Sequence, residues 1–276
     1  MKHLASPFMN LSPVPDFSDE KKSASILAAE LEQAVLSWVK KYAAGDMAHL
    51  ADRKTSSEQW QKIIEGAKGY CAQCPLDTLK LISSDRAYDQ IPSLLAHAVV
   101  NKSLWELVEN SFYYLDQKFE SGLHSPHLRT PPEGFAVYLR ELFSRMNTSR
   151  QDDAVKCRQL MLRAITATKA FQTNKDDLGV EVGKRKENAH RHLVKRLLDD
   201  SNSPLQPLLK DICVSAEQRT EMLELFARAS ELSILCGITD KELQFRSLDE
   251  LPLYDYGGQQ DRLMSPHYTT SSAAAQ

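Results

Sequence analysis

The chain has 276 residues, 42% of them hydrophobic and 26% charged, with a formal net charge of −3. That balance excludes wholesale disorder, and the length suffices for one sizeable core. No run approaches the roughly 18 to 20 consecutive apolar residues of a membrane span, so no membrane association is expected.

The 36 Leu and 26 Ala stand against 9 Ile and 12 Val, which predicts an all-α chain with no strand. Residues 1–22, with Pro7, Pro13 and Pro15, read as a flexible leader without the compact apolar block of a secretory signal. A first amphipathic helix is predicted over 23–44, with Leu27, Leu31, Ala34, Val35, Trp38, Val39 and Tyr42 on one stripe and Gly45 as its stop. Thr55 and Glu58 have capping-box spacing for a second helix carrying Trp60, Ile64, Ala67, Cys71 and Cys74 along one face until Pro75. A short helix over 76–84 follows.

Asp89 is the expected cap of a long helix with Pro92 in its first turn. Leu94, Ala98, Asn101, Trp105, Val108, Phe112, Leu115 and Phe119 recur at spacings of four and three, the seam of a bundle's central helix. Asn101, the polar member, needs a hydrogen-bond partner on a neighbouring helix. Beyond a loop over 122–132, a helix over 133–146 is expected to bury Phe135, Tyr138, Leu139, Leu142 and Met146. One over 152–173 turns Cys157, Met161, Ala164, Ile165, Thr168 and Phe171 inward. One over 178–200 does so with Ala189, Leu193, Val194, Leu197 and Leu198. The last helix covers 216–236, closed by Gly237. The expectation is a bundle of seven to nine helices in a single domain over 23–250, with flexible ends at 1–22 and 251–276.

Charge is distributed in blocks: residues 150–198 hold 12 basic and 6 acidic groups, residues 199–276 hold 6 and 13. The densest basic cluster is Lys184, Arg185, Lys186, Arg191, Lys195 and Arg196. On a helix, Lys184, Arg191 and Lys195 form a ridge opposite the Leu193/Leu197 stripe, a surface for an anion or a partner. Two basic groups separated by a spacer also have the form of a nuclear-import signal. Glu187 and Arg191 have the i,i+4 spacing of an ordinary solvated face.

Two constellations have metal-ligand chemistry. Cys71-x-x-Cys74 supplies thiolate spacing for zinc, with His124 and His127 as the other pair; core packing of the two cysteines is the competing reading. Asp176, Asp177 and Glu181 lie one helical turn apart, as carboxylates holding Mg²⁺ against a diphosphate do, and helix capping competes here. The stretch Gly179-x3-Gly183-Lys184-Arg185 lacks the spacing, the Ser/Thr and the strand of a phosphate-binding loop. Five cysteines, an odd number, do not suggest a disulfide framework, and the expected compartment is cytosol or nucleus.

The order of segments resembles an all-helical protein family of filamentous fungi that has no established function. The resemblance rests on Leu31-x3-Val35-x2-Trp38-Val39, the long helix over 94–119 running into the His/Pro loop, residues 227–236, and Leu263-Met264-Ser265-Pro266-His267. It implies no cofactor and no catalytic residues. The expected role is therefore an intracellular interaction or scaffold protein that meets another protein or a second copy of itself. The alternatives are a helical enzyme for a Mg-diphosphate substrate and a nuclear or RNA-contacting regulator acting through residues 184–196.

Overall fold

The computed structural model describes residues 17–52, 56–70, 89–115, 134–166, 178–211 and 213–238. Among them are eight α-helices: α1 (Phe17–Tyr42), α2 (Met47–Asp52), α3 (Ser57–Gly66), α4 (Ile91–Val108), α5 (Phe135–Ser149), α6 (Gln151–Thr166), α7 (Leu178–Leu198) and α8 (Ala216–Ile238). Two 3₁₀ turns, Tyr113–Leu115 and Gln206–Leu208, complete the regular structure. The described residues form an all-α bundle with no strand, as the composition predicts. No helix among them is long and apolar enough to cross a membrane.

The hub is α8, which packs against α1, α4, α6 and α7. Its start is capped by Ser215, whose Oγ accepts from the Gln218 amide at 3.1 Å. Its buried residues Met222, Leu225, Phe226, Ala229, Leu232 and Cys236 recur at three and four, so one wide stripe serves several neighbours. Small residues bring α8 close to the end of α4. Ser233 Oγ donates to the Val108 carbonyl at 2.8 Å, and Ser111 Oγ donates back to the Ser233 carbonyl at 2.9 Å. Arg158 Nε and Gln159 Nε2 from α6 donate to the Gly237 and Ile238 carbonyls, at 3.1 and 2.7 Å. Both satisfy acceptors that every helix leaves open at its C-terminus.

On α1, Leu31, Val35, Trp38 and Val39 are buried along the predicted stripe. The helix starts earlier than expected, at Phe17, so residues 17–22, assigned to the leader, are helical. Its end is fixed by main-chain pairing across the molecule. Ala44 N donates to Leu208 O and Lys210 N to Tyr42 O, both at 2.8 Å. Asn101 finds its predicted partner: its Nδ2 lies 3.2 Å from Glu32 Oε2 on α1, and Glu32 Oε1 sits 2.9 Å from His97 Nε2.

Several expected boundaries and faces are corrected. The capping box of α3 is Ser56 with Gln59, not Thr55 with Glu58, each side chain bonded to the other's main chain. That helix ends at Gly66, followed by Ala67 and a left-handed Gly69 with φ 86°. It therefore stops before Cys71 and Cys74, and it buries Ile63 most deeply. No side chain caps α4, whose N-cap is Gln90 rather than Asp89, although Pro92 does occupy its first turn. The helix stops at Val108 instead of running to 119. Asn110 Oδ1 accepts from the Phe112 amide at 3.3 Å and the 3₁₀ turn begins at Tyr113.

The phases of α5 and α6 also differ from expectation. Phe112 stacks on Phe143 with ring centroids 5.7 Å apart, in a second small core with Leu139 and Leu162. Packing on those rings turns Ala136, Leu139 and Phe143 inward and leaves Tyr138 and Leu142 exposed. Likewise α6 buries Ala154, Val155, Gln159 and Leu162, while Cys157 is exposed. The expected helix over 76–84 and the flexible tail 251–276 lie outside the described residues.

Candidate functional site

The basic run on α7 does not form one surface. Lys184, Arg191, Lys195 and Arg196 are exposed, but Arg185 is buried and Lys186 half-buried. Arg185 shares the inward face with Val182 and Ala189, three residues before it and four after. Lys186 folds its ammonium over the Tyr114 ring, 5.0 Å from the centroid, and burial lowers its pKa. Arg191 is held by Glu187 at 2.5 Å, the predicted i,i+4 pair of a solvated face. The ridge of Lys184, Arg191 and Lys195 thus exists, with one of its three cations already neutralised.

Inside the same helix lies a polar network that the basic run hides in the sequence. His190 is buried, and its Nε2 sits 2.5 Å from the Tyr113 hydroxyl, which donates to Ser230 Oγ at 3.0 Å. Burial, aided by the Lys186 charge, pushes His190 down to about 4, so it is uncharged at neutral pH. Burial raises Tyr113 well above the usual phenol range. Neither group is tuned for proton transfer near pH 7. The network binds α7 to α8 and to the turn after α4. The alternation of apolar Ala189 and Val194 around His190 is the only local hint of its burial.

Beside this network α4 and α7 diverge. Both pack on α8 or the turn after α4, and they make little direct contact with each other. The gap is a groove of about 440 Å³. Val99, Leu107, Leu197 and Phe226 underlie it but are almost wholly buried, so its open apolar surface comes chiefly from half-buried Leu193 and Pro204 and from Val137 of α5, 41% exposed. One bank carries Lys102 and Glu106 from α4, the other Arg196 and Asp200 from α7 and its end. Among the described residues none of Lys102, Glu106 and Arg196 is held in an ion pair, whereas Asp200 accepts from the Asn202 amide at 2.9 Å. Of the groove's residues only Arg196 belongs to the basic cluster that the sequence marks as a candidate surface. A gap between two helices that share a third leaves no mark in either helix's periodicity.

A second groove, about 470 Å³, runs between α5 and the end of α8, with Phe112, Phe143, Arg140 and Cys236 in its wall. Burial raises the Cys236 thiol to about 11, which leaves it protonated and unreactive at neutral pH. Cys71, Cys74, His124, His127, Asp176 and Asp177 lie outside the described residues, and Glu181 belongs to α7 without a described side chain. Among the described residues no three His, Cys, Asp or Glu side chains gather to hold a metal ion. Compared with protein-family models, with curated proteins and with solved structures, the chain finds no match.

Proposed function

We propose that this chain is an intracellular interaction protein, of the cytosol or nucleus, that presents helix faces to another protein. The observation that carries this reading is the groove between α4 and α7. Its mixed polar and apolar lining carries cations and anions that no ion pair among the described residues neutralises. Unpaired charge of both signs beside the little open apolar surface of Leu193 and Val137 suits a polypeptide partner. It is a poor bed for nucleic acid, because Glu106 and Asp200 repel phosphates. A resident cofactor is not part of this proposal, nor is kinship to the fungal helical family required by it.

The test is capture of the chain from its native cells, with quantitative comparison of wild type against Val137→Arg with Glu106→Lys. Both positions are exposed, so the double variant should fold normally. One or a few partners should be at least tenfold depleted from the variant. Identical partner sets would refute the assignment of the interaction to this groove.

The RNA-contacting alternative has one supporting observation, the exposure of Lys184, Arg191 and Lys195 on the outer face of α7. Reversal of all three to Glu should then abolish salt-dependent retention on RNA.

A further inference from the structure

We infer that the groove between α4 and α7 is gated by its own charges: Lys102 pairs with Asp200 and Glu106 with Arg196 across it, and a partner enters by displacing both pairs. The inference concerns the regulation of the groove and rests on the interaction reading. The register of the two banks carries it. At one end of the groove the Tyr113 hydroxyl meets His190 Nε2 at 2.5 Å. At the other end Gly66 of α3 lies against Val99 and Pro204 together, where an added Cβ would fall 3.8 and 2.5 Å from them. Val99 stands fourteen residues before Tyr113, and Pro204 fourteen after His190. The banks therefore run antiparallel and in step over about 20 Å. By that register Glu106 falls opposite Leu197 and Lys102 opposite Ser201, each one position from its partner, Arg196 or Asp200. All four charged residues line the groove, so each cation faces an anion.

Pairing along one bank is the competing arrangement. Lys102 and Glu106 are four residues apart, as are Arg196 and Asp200. In both, however, the base precedes the acid, the weaker order for an i,i+4 pair. Asp200 also lies past the end of α7, with its Oδ1 accepting from the Asn202 amide. Among the described residues neither same-bank pair forms, and the cross-groove pairs are apart as well, around an open space of about 440 Å³. The gate is thus a second arrangement of these side chains, closed over Leu193, which lies one turn from Arg196. An exposed ion pair biases an equilibrium by about 1.4- to 5-fold, so two of them favour closure by about 2- to 25-fold.

The test places Leu193→Cys in the full chain and follows alkylation of that one thiol by peptide mass spectrometry. Glu106→Arg sets like charge against Arg196, and the rate at position 193 should rise at least twofold. Adding Arg196→Glu should return it to the starting rate, because the signs across the groove are again opposite. The two banks then carry like charge along their own length, so same-bank pairing cannot produce that recovery. Equal rates in all three chains, or a doubly changed chain as fast as the singly changed one, would overturn the inference. A second measurement leaves Leu193 in place and runs a double-mutant cycle of Glu106→Gln with Arg196→Gln, both exposed positions, in urea. A favourable coupling of about 1.4- to 5-fold in the unfolding constant is expected, and additive effects would likewise overturn the gate. Both measurements use the chain alone. A failed gate therefore leaves the capture test of the groove standing, and a failed capture leaves the gate measurable.

Discussion

Tyr113 and Tyr114 are adjacent in the chain, both are buried, and their rings meet edge to face at 5.3 Å. Their hydroxyls have opposite fates. That of Tyr113 joins His190 to Ser230, whereas that of Tyr114 has no hydrogen-bond partner among the described residues. Removing a partner from a satisfied network strands the groups left behind, at about 1–3 kcal/mol, but removing an unsatisfied hydroxyl relieves a desolvation penalty. Tyr113→Phe should therefore destabilise the fold by about 1–3 kcal/mol, and Tyr114→Phe should be neutral or stabilising by about 1 kcal/mol. Urea denaturation of the two variants checks the pair, and equal effects would contradict it.

His190 gives the same network a pH signature. Its pKa falls from an ordinary 6.5 to about 4 on folding, so below pH 6.5 the unfolded chain takes up a proton that the folded chain refuses. Its contribution is fully present above pH 6.5 and is lost as pH falls towards 4, reaching about 3 kcal/mol there. Among the neighbouring groups, Lys186 opposes the imidazolium, and the neutral Tyr113 and Ser230 do not compensate it. In His190→Gln the loss of stability between pH 6.5 and 4 should be correspondingly shallower, read as unfolding free energy at several pH values. A slope unchanged from wild type would mean that His190 is not buried neutral.

At the scale of elements, two helical glycines separate propensity from packing. Gly183 lies on the exposed side of α7, and an added Cβ there meets nothing within 4 Å. Gly183→Ala should stabilise by up to about 1 kcal/mol through helix propensity alone. At Gly66 the same atom would lie 2.5 Å from Cβ and Cγ of the Pro204 ring. A proline ring yields little, so Gly66→Ala should lose about 1–3 kcal/mol through overpacking despite the better helix former. Thermal denaturation distinguishes the two, with melting shifts of opposite sign.

Legibility in the sequence followed the same division. The α1 stripe of Leu31, Val35, Trp38 and Val39 was readable because a long helix packed along one side obeys a simple period. The need of Asn101 for a partner was readable because a polar residue in an apolar seam has few options. The faces of α5 and α6 were not, since the Phe112–Phe143 stack that orients them depends on residues outside both helices' own patterns. The burial of Arg185 and His190 was masked by the charged residues beside them.

At the scale of the molecule, the architecture follows from α8 serving four helices at once. A hub with a wide buried stripe and small residues Ser230, Ser233 and Gly237 draws α1, α4, α6 and α7 around itself. The same geometry leaves α4 and α7 apart, so the groove is a by-product of the hub and could not be read from any one segment. All-helical class was visible in the Leu and Ala content, but the site exists only where several elements meet, among them α4, α5, α7 and α8. The His190 network lies directly beneath it through Tyr113, which lines the groove as well.

The central claim is that the α4–α7 groove contacts another protein in the cell. It is tested most directly by placing a photo-crosslinking phenylalanine derivative at Leu193, in the groove, or at Lys40, exposed on α1 and outside it. After irradiation in native cells, a discrete higher-mass adduct is predicted at position 193 and not at position 40. Adducts of equal yield at both positions, or at position 40 alone, would contradict the account.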